Sequence, residues 1–185
     1  MLALAVLSTL EVGPAHAYEL KKRIDMGLGK FLRATDGSLY PLLRSLEESG
    51  CIESRVEPAE HGRPDRVVYT ITDAGRADLR TRLAAPLAQG PKGVVDFYVR
   101  VVCFPWLDPA GRAALIAERR ARIHRELAAL HDAGRQVAHV SGHPELLDLR
   151  ERQLDAELAW LDDLEAGTPS RPVNDRLIDQ GGSQA

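Results

Sequence analysis

The stretch from Asp36 to Gly75, DGSLYPLLRSLEESGCIESRVEPAEHGRPDRVVYTITDAG, decides the fold. Its first part has a helical period. Leu39, Leu42, Leu43 and Leu46 fall on one face, and Tyr40, Arg44, Glu47 and Glu48 fall on the other. Gly50 closes that helix. Its start is open between two residues. With Ser38 as N-cap, Pro41 lies in the first turn at no cost; with Thr35 as N-cap, Pro41 removes a bond and kinks the helix. The period then switches to two. Ile52, Ser54 and Val56 alternate with Glu53, Arg55 and Glu57, as in a half-exposed strand. A turn-rich tip, PAEHGRPDR, leads to a second strand with Val67, Tyr69 and Ile71 on one face. Thr72 suits the N-cap of a helix beginning at Asp73. The reading is a β-hairpin pinned between two helices.

Upstream, a first helix is expected from about Leu2 to Leu10, with Ala3, Val6, Leu7 and Leu10 on one face, before Gly13-Pro14 breaks it. A second is expected from near Ala15 to Gly27. It buries Ala17, Leu20 and Ile24 and shows Tyr18, Lys21, Lys22 and Asp25. Phe31 and Leu32 are packing residues of the connection that follows. Three helices and then a hairpin is the order of a winged helix-turn-helix.

Downstream, Gly90-Pro91 marks a boundary. VVDFYVRVVCF (94–104) is an apolar run of helix length, and Asp108-Pro109 is a strong start for a helix reaching about Asp132. Ile116, Ile123, Leu127 and Leu130 share one of its faces. A last helix runs from Pro144 to Glu165, with Leu147, Leu154, Leu158 and Leu161 as its seam, widened by Leu149, Trp160 and Leu164. The expected class is mainly α: a winged helix-turn-helix over residues 1–85, a linker at 86–93, a helical dimerisation and effector domain over 94–166, and a disordered tail at 167–185.

The formal net charge of −3 does not mark a polyanion binder, and the surplus acid lies in the second half. Residues 1–82 carry 12 basic and 12 acidic side chains, so binding DNA requires a local basic patch. Two cysteines, Cys51 and Cys103, make no disulfide framework and read as buried thiols. Ala15-His16-Ala17 imitates a signal-peptide cleavage site, but the segment before it lacks a basic start. No segment approaches a membrane span, so the cytoplasm is the expected compartment, with no membrane partner.

The outer face of the 36–50 helix offers Ser38, Tyr40 and Arg44 to a major groove. The hairpin tip offers His61, Arg63 and Arg66, with Arg63 held between Gly62 and Pro64. Lys21, Lys22 and Lys30 suit the phosphate backbone nearby. Duller readings stand beside these: Arg44 paired with Glu48, and Tyr40 half-buried as packing. The face from Leu147 to Leu164 is broader than one small domain can bury, which suggests a second copy. Phe97, Tyr98, Trp106 and Trp160 are candidate walls of an effector pocket for a small aromatic or hydrophobic molecule. His124, His131, His139 and His143 lack tight metal-ligand spacing, and no phosphate loop or nucleophile elbow appears. No cofactor and no catalytic activity are implied.

Three motifs together resemble the PadR family of transcriptional regulators: PAHAYEL at 14–20, DGSLYPLLRSLEESGCIE at 36–53 and GRPDRVVYTITDAG at 62–75. The second half, from about Val94 to Leu164, resembles the virulence-activator-like helical domain of longer members. One departure is Ala17, where the family usually has glycine. The resemblance implies a homodimeric, ligand-responsive repressor on a DNA operator. It places DNA contacts on Tyr18, Ser38, Tyr40, Arg44 and Arg63, and dimer contacts on the first and C-terminal helices. Two other readings are an interaction adaptor that keeps the fold without binding DNA, and a metal-sensing regulator.

Overall fold

A computed structural model describes residues 1–29, 31–58, 66–137 and 144–167. The chain divides into two compact units, Met1–Arg112 and Ala113–Ala185. In the first, the order is α1 (Leu2–Val12), β1 (Ala15–His16), α2 (Ala17–Leu28), α3 (Asp36–Glu48), β2 (Ile52–Glu57), β3 (Arg66–Ile71), α4 (Asp73–Ala84) and α5 (Pro91–Val102), then a short 3₁₀ turn, Phe104–Trp106. α6 (Pro109–Val137) runs into the second unit, which also holds α7 (Pro144–Glu165). The expected class holds: mainly helical, with a small antiparallel sheet that makes a winged helix. Among the described residues, no helix is long and apolar enough to cross a membrane.

α1 is the hub of the first unit. One apolar face was expected, yet Leu4 through Ser8 and Leu10 are all buried, so the helix is enclosed on nearly every side. Ser8 is tolerated there because its hydroxyl donates to the Ala5 carbonyl at 3.1 Å. Around it pack Leu20 and Ile24 of α2, Leu39, Leu43 and Leu46 of α3, Ile52 and Ile71 of the hairpin, Leu79 and Leu83 of α4, and Val99 and Cys103. Burial raises the Cys103 pKa above its ordinary value, against the weaker opposing pull of a Ser8 hydrogen bond and the Arg100 charge. Both cysteines are free and buried, as expected.

The sheet has one strand more than expected. Ala15 and His16 do not begin α2; they pair antiparallel with Tyr69 and Val68, giving the order β1-β3-β2. The hairpin itself keeps a continuous register from Ile52↔Ile71 to Glu57↔Arg66. Its apolar alternation is only partly realised. Ile52 and Ile71 are buried, but Val56 and Val67 are 59% and 41% exposed. The wing leaves the core after its first residues.

Thr35 settles the start of α3. It is the N-cap, and Thr35 and Ser38 form a reciprocal capping box, with the Thr35 amide donating to Ser38 Oγ at 3.1 Å. Pro41 therefore lies inside the helix and leaves the Gly37 carbonyl without its usual donor. At the other end, Gly50 has φ +70°, a backbone conformation in which a side chain is strained. α4 starts against this turn: Thr72 Oγ1 accepts from the Gly75 amide at 3.1 Å and donates to the Gly50 carbonyl at 2.6 Å.

Residues 86–93 do not end the first unit, which continues to Arg112. Leu87 is 2% exposed, and the Ala88 amide donates to Asp96 Oδ2 at 3.0 Å. Arg100 reaches back from α5 and donates to the carbonyls of Leu83, Ala85 and Pro86 while paired with Asp96. A helix that ends on open carbonyls is thereby capped by the next helix.

In the second unit, α6 and α7 form an antiparallel hairpin laced by ion pairs. Arg119, 3% exposed, forks onto Glu157 at 2.8 and 2.7 Å; Arg120 meets Asp162 and Glu165, Arg150 meets Glu126, and His131 meets Glu151. α6 extends beyond Asp132 to Val137, and α7 has the expected bounds.

Candidate nucleic-acid interface

The buried leucines of α3 fix which of its side chains face outward. Leu39, Leu43 and Leu46 are all at or below 4% exposure, so Ser38, Tyr40 and Arg44 project into solvent. Tyr40 is 56% exposed and is not packing. Arg44 does not pair with Glu48; among the described residues it has no hydrogen-bond or ion-pair partner. Ser38 is exposed, but its hydroxyl is engaged in the cap: Oγ donates to the Thr35 carbonyl at 3.0 Å and lies 2.9 Å from Thr35 Oγ1. Its first role is to hold the helix start.

α2 supplies the next group. Tyr18 is 73% exposed at its first turn, and Lys22 is exposed with no partner among the described residues. Lys21 differs from the expectation of a free backbone anchor. Its Nζ donates to Asp36 Oδ1 at 2.8 Å, tying α2 to the start of α3. That hydrogen bond raises the Lys21 pKa, desolvation opposes it, and the charges of Asp36, Asp25 and Tyr40 add to it. Asp25 is occupied as well, since its Oδ1 accepts from the Ala34 amide at 3.3 Å. These two links set the turn of the helix-turn-helix.

Tyr40 contributes to the electrostatics of both Lys21 of α2 and Tyr69 of β3. The Tyr69 pKa is raised by burial first, then by Glu47 and Tyr40. Arg66, at the first residue of β3, is exposed and unpaired among the described residues. Arg63, His61 and Lys30 lie outside the described residues. Sequence reasoning missed Arg33, exposed on the α2–α3 connection with no partner among the described residues. It lines a cleft of about 800 Å³ with Lys21, Met26 and Phe31; an adjoining cleft of about 360 Å³ holds Tyr18 and Lys22. A cation on an exposed turn was the available signal.

Lys22, Arg33, Arg44 and Arg66 thus supply unpaired positive charge although residues 1–82 are neutral in sum. Many of the acids are already engaged: Glu19 by His16 and Arg23, Asp36 by Lys21, Glu57 by Arg55, Asp78 by Arg82. A net count does not report where such unpaired cations lie.

The other expected residues are placed differently. Phe97 is fully buried and is not a pocket wall, while Tyr98 and Trp106 are half-buried in the first unit. Trp160, in the second unit, is also half-buried. None of the four lines either cleft. Leu154 and Leu161 are fully buried within the single chain, which removes them from any surface a partner meets; Leu147 and Leu158 are half-buried. A one-chain helical hairpin consumes part of the seam that seemed to need a second copy.

Three helices, a wing, and an outward helix face with an unpaired arginine define a winged helix-turn-helix module. Residues 6–81, within the first unit, match the Transcriptional regulator PadR-like family. Among curated proteins, a "Probable transcriptional regulator" of Mycobacterium tuberculosis is 38% identical over 84 residues, covering 45% of this chain and 44% of that protein. The Negative transcriptional regulator PadR of Bacillus subtilis is 29% identical over 79 residues, covering 43% of each. The matches therefore span less than half the length of these curated relatives. Among solved structures, Bacillus subtilis PadR in complex with operator DNA is 21% identical and covers 90% of this chain and 98% of that one, with a TM-score of 0.46. A PadR family regulator from Eggerthella lenta is 34% identical, over 43% of this chain and 66% of that one, with a TM-score of 0.38.

Proposed function

We propose that this protein is a transcriptional regulator that binds double-stranded DNA as a homodimer, with α3 in the major groove and the wing on flanking backbone. The observation that carries the reading is Arg44: an exposed, unpartnered guanidinium on a helix whose reverse side is locked into the core by three leucines. Arginine at that place matches the paired acceptors of a guanine edge, and Tyr40 beside it can reach phosphate or base. Lys22, Arg33 and Arg66 supply backbone attraction. Arg63 belongs to the reading through its Gly62-Arg63-Pro64 sequence alone.

The test is fluorescence anisotropy with DNA from upstream of the protein's own gene, between 50 and 200 mM salt. Three backbone cations per protomer make about six phosphate contacts per dimer, for which affinity falls by roughly 10³ over that range. Absence of binding at low salt, or binding indifferent to salt, removes the proposal and favours the adaptor.

The sense of regulation we propose is repression, as in the name of the Bacillus relative. Release by a small aromatic or hydrophobic effector completes the reading; the half-buried rings of Tyr98 and Trp106, both in the first unit, are its support. For the dimer, α7 offers Leu146 and Leu149, 62% and 51% exposed, beside half-buried Leu147 and Leu158. Charges at Leu146→Glu and Leu149→Glu are expected to yield a folded monomer by light scattering. An unchanged dimer would move the interface elsewhere.

A further inference from the structure

α5 is fastened into the first unit at three places. Val99 and Cys103, the latter just past its end, lie in the core that surrounds α1. Arg100, 5% exposed, caps the end of α4 through the carbonyls of Leu83, Ala85 and Pro86. The third attachment is aromatic: the Tyr98 ring stands 4.7 Å from the ring of Phe31, centre to centre, at 35°. Phe31 lies on the connection between α2 and α3, four residues before the Thr35 N-cap.

Phe31 is 46% exposed, so the core does not require a large ring there. Its backbone is nevertheless confined. The Leu28 carbonyl accepts from both the Phe31 and Leu32 amides at 2.7 Å, and Ala34 is held on Asp25. In so tight a turn, a shift of the Phe31 backbone carries Leu32 to Thr35 with it. α5 is immobilised by Arg100 and the core, so Tyr98 is the fixed member of the pair.

We infer that the Phe31–Tyr98 pair is a positioning contact through which α5 sets the seat of the recognition helix, so that operator affinity depends on two rings that need not touch DNA. This rests on the proposed DNA-binding reading. Aromatic pairs of this kind are worth a few-fold in an equilibrium constant, enough to shift a helix start without unfolding the domain.

The experiment uses the full chain carrying Phe31→Ala, Tyr98→Ala, both together, and Tyr98→Phe. Operator affinity and its salt dependence are measured, with amide hydrogen exchange at residues 31–36. Each alanine variant is expected to bind roughly two- to tenfold more weakly, and the double variant no more weakly than the worse single one. The salt slope stays unchanged because no phosphate contact is lost. Tyr98→Phe, which keeps the ring, loses less affinity than Tyr98→Ala, and Tyr98→Ala speeds exchange at Leu32 to Asp36. Additive losses, or exchange unaltered by Tyr98→Ala, overturn the inference. Should Tyr98→Ala fail to fold, Tyr98→Leu fills the space without a ring and the same criteria apply. If wild type itself does not bind DNA, the functional reading fails, and exchange alone then decides the coupling.

Discussion

Gly75→Ala is expected to destabilise the first unit by about 3 kcal/mol and to lower its melting temperature by about 10 °C. Intrinsic helix propensity argues the opposite way, since alanine is favoured over glycine by about 1 kcal/mol in a helix. Sterics decide. A Cβ at Gly75 would overlap the Cys51 carbonyl oxygen, and Ile71 Cγ1 would be 2.8 Å away. That carbonyl cannot retreat cheaply, because it accepts from the Thr72 amide at 3.1 Å at the base of the wing. The Gly75 amide also completes the Thr72 cap, so displacing it loosens the start of α4. Thermal melts followed by circular dichroism check the result. A melting temperature equal to or above wild type would show that the close approach of α4 to Cys51 is not rigid.

Arg44→Ala is expected to leave the melting temperature unchanged and to weaken binding by roughly 5- to 200-fold per half-site, the equivalent of about 1–3 kcal/mol per protomer. The two halves of the prediction have one cause. Arg44 is exposed and makes no hydrogen bond or ion pair with the described residues, so the fold loses nothing when it is shortened. Arg44→Lys separates the two kinds of contact. A lysine keeps attraction to phosphate but loses the planar fork that fits a guanine edge. Recovery of affinity by lysine would mark a phosphate contact; loss of preference for operator over random DNA would mark base reading. Full affinity in Arg44→Ala would take α3 out of the groove.

The sequence revealed the elements that are locally determined. The leucines of α3, the alternation around Ile52 and Ile71, the Thr72 cap and the bounds of α7 all depend on spacing within a few residues. Features made by distant partners stayed hidden. β1 is two residues long and exists because Tyr69 and Val68 lie beside it, which no local period reports. The supposed linker at 86–93 looks breakable through Gly90-Pro91, yet Arg100, Asp96 and Leu87 bind its surroundings to α5. Exposure was legible at Tyr18, Lys22, Tyr40 and Arg44, because it follows from helix phase. The engagement of Lys21 and Ser38 by Asp36 and Thr35 was not. Leu154 and Leu161 show the same lesson for interfaces, because an apolar stripe does not say whether its cover comes from the same chain.

The outer part of the hairpin carries backbone pairing without apolar backing, since Val56 and Val67 stand in water while Ile52 and Ile71 are anchored. Such an arm is free to drift in evolution. Its far residues can be exchanged, lengthened or recharged with no penalty in the interior, whereas the anchored end cannot. Among proteins built on this plan, sequence differences should therefore accumulate first along the unsupported half of the wing.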